Sequence, residues 1–143
     1  MASNAFRTAI ESLDIKALER LLAPDVRFHS PVMVHPYQGR HEVASFIGNL
    51  SEVFQDFRYT HELSDDAPGP GECTQALFFA ARIGRKPLQG VDLLTYDASG
   101  LVADLTVMVR PLPAAMTLAR TVGARVEAGG EAGDAERLAG DGR

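Results

Sequence analysis

Apolar residues recur along this chain with two periods, and the change from one to the other divides it. Ala5, Phe6, Ala9, Ile10 and Leu13 fall at helical spacing. Asp14 then reads as the N-cap of a second helix that places Ile15, Leu18, Leu21 and Leu22 on one face. Ala23-Pro24 stops it, because the residue before a proline is pushed out of the helical region. Val26 to Ser30 reads as a short strand, with Val26, Phe28 and Ser30 on one face and Arg27 and His29 on the other. Pro31 to Gly39 is a loop, and His41 to Phe54 a third helix burying Val43, Phe46, Ile47, Leu50 and Phe54. Gly48, inside that helix, implies that something packs close.

From Phe57 the period shortens to two. Phe57, Tyr59, His61 and Leu63 alternate with Arg58, Thr60 and Glu62, as a half-buried strand does. Thr74 to Ile83 and Lys86 to Tyr96 form a hairpin around Gly84-Arg85. The turn Asp97-Ala98-Ser99-Gly100 leads into Leu101 to Arg110, and Pro111 and Pro113 end that strand. Ala115, Leu118, Ala119, Val122 and Val126 suggest a last amphipathic helix. From Glu127 the chain is Gly, Ala and acid, expected to be a disordered tail, a short helix near Ala135 to Ala139 being the alternative. The expected domain is therefore 1–126, followed by a tail at 127–143. Helices segregated from a run of strands mean α+β: a conical, curved antiparallel or mixed sheet wrapped around N-terminal helices, with a C-terminal amphipathic helix. Helices across the concave face would enclose a pocket.

Composition narrows the function classes. The 143 residues suffice for one domain with a real core. A net charge of -5 argues against non-specific nucleic-acid binding. No apolar run approaches the roughly 20 residues of a membrane span, and no signal-peptide pattern opens the chain. One cysteine, Cys73, permits no internal disulfide framework and no zinc spacing, so a cytoplasmic setting is expected and neither metal nor organic cofactor is.

The sequence Ala17-Leu18-Glu19-Arg20-Leu21-Leu22-Ala23-Pro24-Asp25-Val26, then Ser30-Pro31 and Gly39-Arg40-His41-Glu42-Val43, carries a family pattern. So do Gly90-Val91-Asp92-Leu93-Leu94, Asp97 to Val102, and Val107-Met108-Val109-Arg110-Pro111. On these segments Phe6 to Arg110 resembles the SnoaL-like branch of the nuclear transport factor 2-like superfamily, which includes ketosteroid isomerase. The resemblance implies the conical fold. It leaves the activity open among isomerases, cyclases, epoxide hydrolases, dehydratases and proteins without chemistry. In the ketosteroid isomerases an aspartate before a proline is the base, and Ser30 stands there. Their first-helix tyrosine corresponds to Phe6. Their second oxyanion donor, a protonated aspartate, corresponds to Asp92. The acidic pattern of limonene epoxide hydrolase has no equivalents.

Asp92 is thus the leading candidate. It lies between Val91 and Leu93, and burial would raise its pKa and let a neutral acid donate a hydrogen bond. A structural ion pair with Arg82 or Arg110, or a hydrogen bond to a helix end, is the alternative. Among the histidines, His35 is the best candidate for a base, with Tyr37 beside it on the expected pocket rim. His29 should face outward. Phe6, Phe28, Ser30, Phe46, Tyr59, Phe78, Leu94, Leu105, Val107 and Val109 are the expected pocket residues, and a small apolar molecule the expected ligand. Cys73 reads as an inert thiol. Thr106 and Met108 should face opposite to Leu105, Val107 and Val109, leaving apolar residues on both sheet faces. That pattern, together with the family habit, predicts a homodimer through the sheet.

Overall fold

The computed structural model describes residues 2–65 and 73–128. Two short helices, α1 (Ala2–Ser12) and α2 (Ile15–Leu21), meet at Leu13, whose φ of 54° breaks the first. Asp14 restarts the chain by accepting a 3.0 Å hydrogen bond from the Ala17 amide. Strand β1 (Leu22–His29) follows with no loop. Its ladder skips between Leu22 and Arg27. Pro24 lies in that gap and has no N–H to give. The segment expected to be loop contains a two-residue strand, β2 (Tyr37–Gln38), paired with β1. Then α3 (Arg40–Val53) begins. Gly48 on α3 faces α2: a Cβ there would stand 2.9 Å from Ile15 Cδ1, so the close packing read from the glycine is real.

The second half holds β3 (Gln55–Ser64), β4 (Cys73–Ile83), β5 (Lys86–Tyr96), β6 (Val102–Arg110) and α4 (Leu112–Ala128). Pro113 sits in the first turn of α4, where its missing N–H costs nothing. The helix runs two residues past the expected domain end, and the tail expected from 129 onward lies outside the described residues.

Six strands form one mixed, unclosed sheet in the order β2-β1-β6-β5-β4-β3. Only β1 and β6 run parallel among these pairs. The α+β cone expected from the sequence is the observed fold. On the concave face Leu77, Phe79, Leu88, Leu94, Leu105 and Val107 pack beneath residues of α1 and α3. Helix α4 spans from the β4–β5 end of the sheet to α3, burying Ala114, Leu118 and Val122. Lys86 Nζ donates to Thr117 Oγ1 at 2.8 Å, and Arg125 Nη2 to Glu52 Oε1 at 2.6 Å. No described helix is long and apolar enough to cross a membrane.

Strand β3 departs from simple alternation near its middle. Tyr59 pairs with Phe79, but His61 pairs with Phe78, so β3 gains a residue between them. Phe57 and Tyr59 therefore face inward, whereas His61 and Leu63 turn outward, and Leu63 is 61% exposed. Strict alternation had put all four on one face.

Candidate functional site

The site begins with the parity of β5. Gly90, Asp92, Leu94 and Tyr96 point to the concave face, and Val91, Leu93 and Thr95 to the other. Asp92 is 8% exposed and surrounded by apolar side chains. A carboxylate there loses its hydration, and burial pushes its pKa up to about 7. Tyr59, reaching over from β3, donates its hydroxyl to Asp92 Oδ2 at 2.8 Å, which favours the charged form and moderates the rise. Burial and the neighbouring carboxylate hold the Tyr59 phenol well above its ordinary range, so it stays a donor.

Tyr59 is itself held. The Arg7 guanidinium lies 5.5 Å from its ring centroid, within cation–π reach. Arg7 Nε meets Glu11 Oε2 at 3.4 Å and Nη1 meets Glu62 Oε1 at 3.7 Å, so it ties α1 to β3. Arg82 and Arg110, the alternative partners for Asp92, are occupied elsewhere. Arg82 binds Asp56 and Gln55, and Arg110 donates to Gln89 at 2.7 Å.

The space Asp92 faces is narrow, a cavity of about 30 Å3. Phe6 and Ile10 of α1, Ile47, Leu50 and Ser51 of α3, and Phe28, Leu105 and Val107 of the sheet line it, with Phe54, Phe57 and Phe79 at one side. Those three rings pack against one another with centroids 4.9 to 5.8 Å apart. Gly90 makes this possible: a Cβ there would lie 2.3 Å from Phe79 Cζ. The cavity admits a water-sized group. Typical organic ligands occupy about 300 Å3 or more, so the rings must move to admit one.

The expected site residues separate into three groups. Asp92, Phe6, Phe28, Leu105 and Val107 meet at the cavity. Leu94 is buried on the same face, and Phe46 packs behind Phe28 with centroids 5.5 Å apart. The rest sit elsewhere. Tyr37 is buried in β2 against Phe46, centroids 4.4 Å apart, because pairing with β1 turns it into the core and off any rim. His35 is exposed on its loop and is not part of the cavity wall. Ser30 Oγ accepts from the Val32 amide at 3.0 Å, closing its own turn. Phe78 lies on the convex face, 37% exposed, because it alternates with the inward Leu77 and Phe79. Val109 borders a convex-face groove, not the cavity.

Tyr59 was expected only as a wall, and its hydrogen bond to Asp92 is the contact that sequence reasoning missed. The signal was its shared parity with Phe57 on a strand next to the β4–β5 hairpin. Among the described residues Asp92 is the one titratable group in the cavity wall, and no cluster of metal-ligating side chains occurs. Outward-facing His29 lies 3.3 Å from Asp104 on the convex face.

Comparison with known proteins places this geometry in a family. The model of the SnoaL-like domain matches residues 4–105. A steroid delta-isomerase from Pseudomonas aeruginosa is 33% identical, over 89% of this chain and 90% of that one, with a TM-score of 0.81. A cystatin-like-fold protein from Silicibacter pomeroyi is 31% identical, over 88% and 85%, with a TM-score of 0.80. A Mycobacterium tuberculosis protein in complex with estradiol-17beta-hemisuccinate shares the fold at 16% identity and a TM-score of 0.61, over 77% and 95%. A comparison with curated proteins gives no match. With its cone, its inward Asp92 and a family match across most of its length, the chain belongs to the SnoaL-like family of the nuclear transport factor 2-like superfamily.

Proposed function

We propose that the protein binds a small apolar molecule inside the cone and uses Asp92 to give and take a proton, as a cofactor-independent isomerase, cyclase or dehydratase does. One observation carries this reading: a buried carboxyl, oriented by Tyr59, poised near neutral pH on the wall of an apolar cavity. A group whose pKa lies near the working pH transfers protons with the least cost in either direction. Tyr59 engages Oδ2, so Oδ1 is the oxygen left to meet a carbonyl or hydroxyl of the ligand. In the protonated form it donates to a developing oxyanion, where the low dielectric strengthens the bond. Similarity to the Pseudomonas aeruginosa steroid delta-isomerase supports a ligand of this kind.

The position of the isomerase base carries Ser30, which is spent on its own turn. Asp92 must then act alone, protonating one carbon after deprotonating another. The test is turnover of a panel of β,γ-unsaturated ketones by wild type and Asp92→Asn. Wild-type turnover with loss of at least a hundredfold in the variant is expected. Equal turnover by both sinks the reading.

A second reading, sequestration of the ligand without chemistry, is favoured by the lone titratable group in the wall. It predicts binding without turnover.

A second copy of the chain belongs to the same proposal. Phe78, Val91 and Met108 give the convex face a groove of about 410 Å3, and Met108 is 52% exposed. A twofold pairing of this face would bury them, and light scattering on wild type and Met108→Glu tests it. A cytoplasmic setting fits the unpaired Cys73 thiol.

A further inference from the structure

Two more polar atoms are buried on the concave face. Gln75 Oε1 and the Tyr96 hydroxyl have no hydrogen-bond partner among the described residues. Gln75 is 6% exposed and Tyr96 5%. Buried polar atoms in native proteins almost always find a partner, because leaving one unmet forfeits its hydration for nothing.

Their placement is specific. In the β4–β5 ladder Gln75 faces Leu94 and Cys73 faces Tyr96, so Gln75 and Tyr96 are diagonal neighbours on one face, with Cα atoms about 7–8 Å apart. The Gln75 amide is fixed by its Nε2, which donates to Ser64 Oγ at 3.0 Å. Its Oε1 is the remaining arm of the fork. Burial, with Cys73 and Glu62 nearby, holds the Tyr96 phenol above its ordinary range, so it stays protonated.

The two atoms define what they can hold. An amide oxygen only accepts, and a protonated phenol donates. A single ligand atom that gives a hydrogen bond to one and takes it from the other is a hydroxyl oxygen. A carbonyl would serve Tyr96 alone, and an ammonium would leave the phenol proton without an acceptor.

Asp92 continues the same pattern. It faces Leu77, so it is diagonal to Gln75 as Gln75 is to Tyr96. Asp92 and Tyr96 lie four residues apart on β5, about 13 Å of strand. Leu77 and Leu94, both fully buried, fill the intervening places. On the concave face of β4 and β5 the three polar groups therefore zigzag between the strands, with leucines in the places between them.

We propose that Gln75 and Tyr96 form a second subsite that recognises a ligand hydroxyl. The ligand is then an elongated apolar molecule with a polar atom at each end, one for Asp92 and one for this pair. The proposal rests on the reading of Asp92 as ligand-facing.

Calorimetry with 4,4′-biphenol and 4-phenylphenol tests it, since only the first carries a hydroxyl at both ends. Wild type should prefer biphenol by about tenfold, the worth of one hydrogen bond. Tyr96→Phe and Gln75→Leu should each erase the preference while keeping 4-phenylphenol affinity. Asp92→Asn should weaken both probes and keep their ratio. If Asp92→Asn changes neither affinity while Tyr96→Phe still erases the preference, the Asp92 reading fails and the subsite stands. Equal binding of both probes by wild type, a preference that survives in both subsite variants, or no binding of either probe overturns the subsite. Melting without probe gives a second check. Tyr96→Phe should melt above wild type, because it deletes an unmet hydroxyl. A lower melting temperature would mean that a trapped water already serves the pair, which also overturns the proposal.

Discussion

The two faces of the sheet are made by the same strands and differ only in parity, yet they have opposite fates. On the concave face Asp92, Leu94, Phe79 and Val107 are buried under two helices. On the convex face their immediate neighbours Val91, Phe78 and Met108 form an open apolar groove. The first face holds an expensive group in a small space. The second offers inexpensive apolar area to whatever covers it. The proposed chemistry would use the face where desolvation is complete, and the proposed pairing the face where it is not.

The largest effect expected from this contrast is electrostatic. Asp92 has a folded pKa of about 7 against an ordinary 3.8. Between these values the folded state holds the proton that the unfolded state has lost. Stability therefore falls as pH rises from about 4 to 7, by up to about 4 kcal/mol, and is level above. Urea unfolding at pH 5 and pH 8 should show the decline in wild type and its loss in Asp92→Asn. A wild-type curve that stays flat or rises over this range would place Asp92 in a solvated site.

A smaller steric effect comes next. Gly90→Ala should cost about 3 kcal/mol, because its Cβ would stand 2.6 Å from the Met108 carbonyl oxygen as well as against Phe79. Val91→Ala, one residue along and facing the other way, should cost under about 1.5 kcal/mol in the monomer. Thermal melts that rank the two in reverse would overturn the assignment of faces. Tyr59→Phe follows, with a loss of about 1–2 kcal/mol at pH 8 and an upward move of the Asp92 midpoint, read by carboxyl carbon NMR. The smallest is Arg7→Gln, about 0.5 kcal/mol, since its ion pairs are half-exposed.

How far the sequence revealed this depends on which forces set each feature. Helices and hairpins were legible because caps and turns are local: Asp14 caps α2, and the Gly84 turn joins β4 to β5. Alternation put Asp92, Leu94 and Tyr96 on one face of β5, and the family resemblance pointed to that face as the pocket side. Phe78 and His61 were misplaced for a different reason. Alternation on β4 gives two faces without saying which is concave, and the extra residue on β3 leaves no mark in its polarity pattern. Tyr37 was misread because β2 depends on a partner strand rather than on its own two residues. The Tyr59–Asp92 bond spans 33 positions, and only the folded ladder brings the two together.

The extra residue in β3 has one more consequence. It works as a phase shifter, dividing a single strand into two halves that answer to different selective demands. Changes before it, at Phe57 or Tyr59, retune what the cone can hold. Changes after it, at His61 or Leu63, alter only what the molecule shows to its surroundings. Were the strand to pair without that shift, its odd-numbered residues would all share one face, and His61 and Leu63 would turn inward. The lining of the cone and the outer surface can thus drift independently along this strand, but only while the shifter is kept.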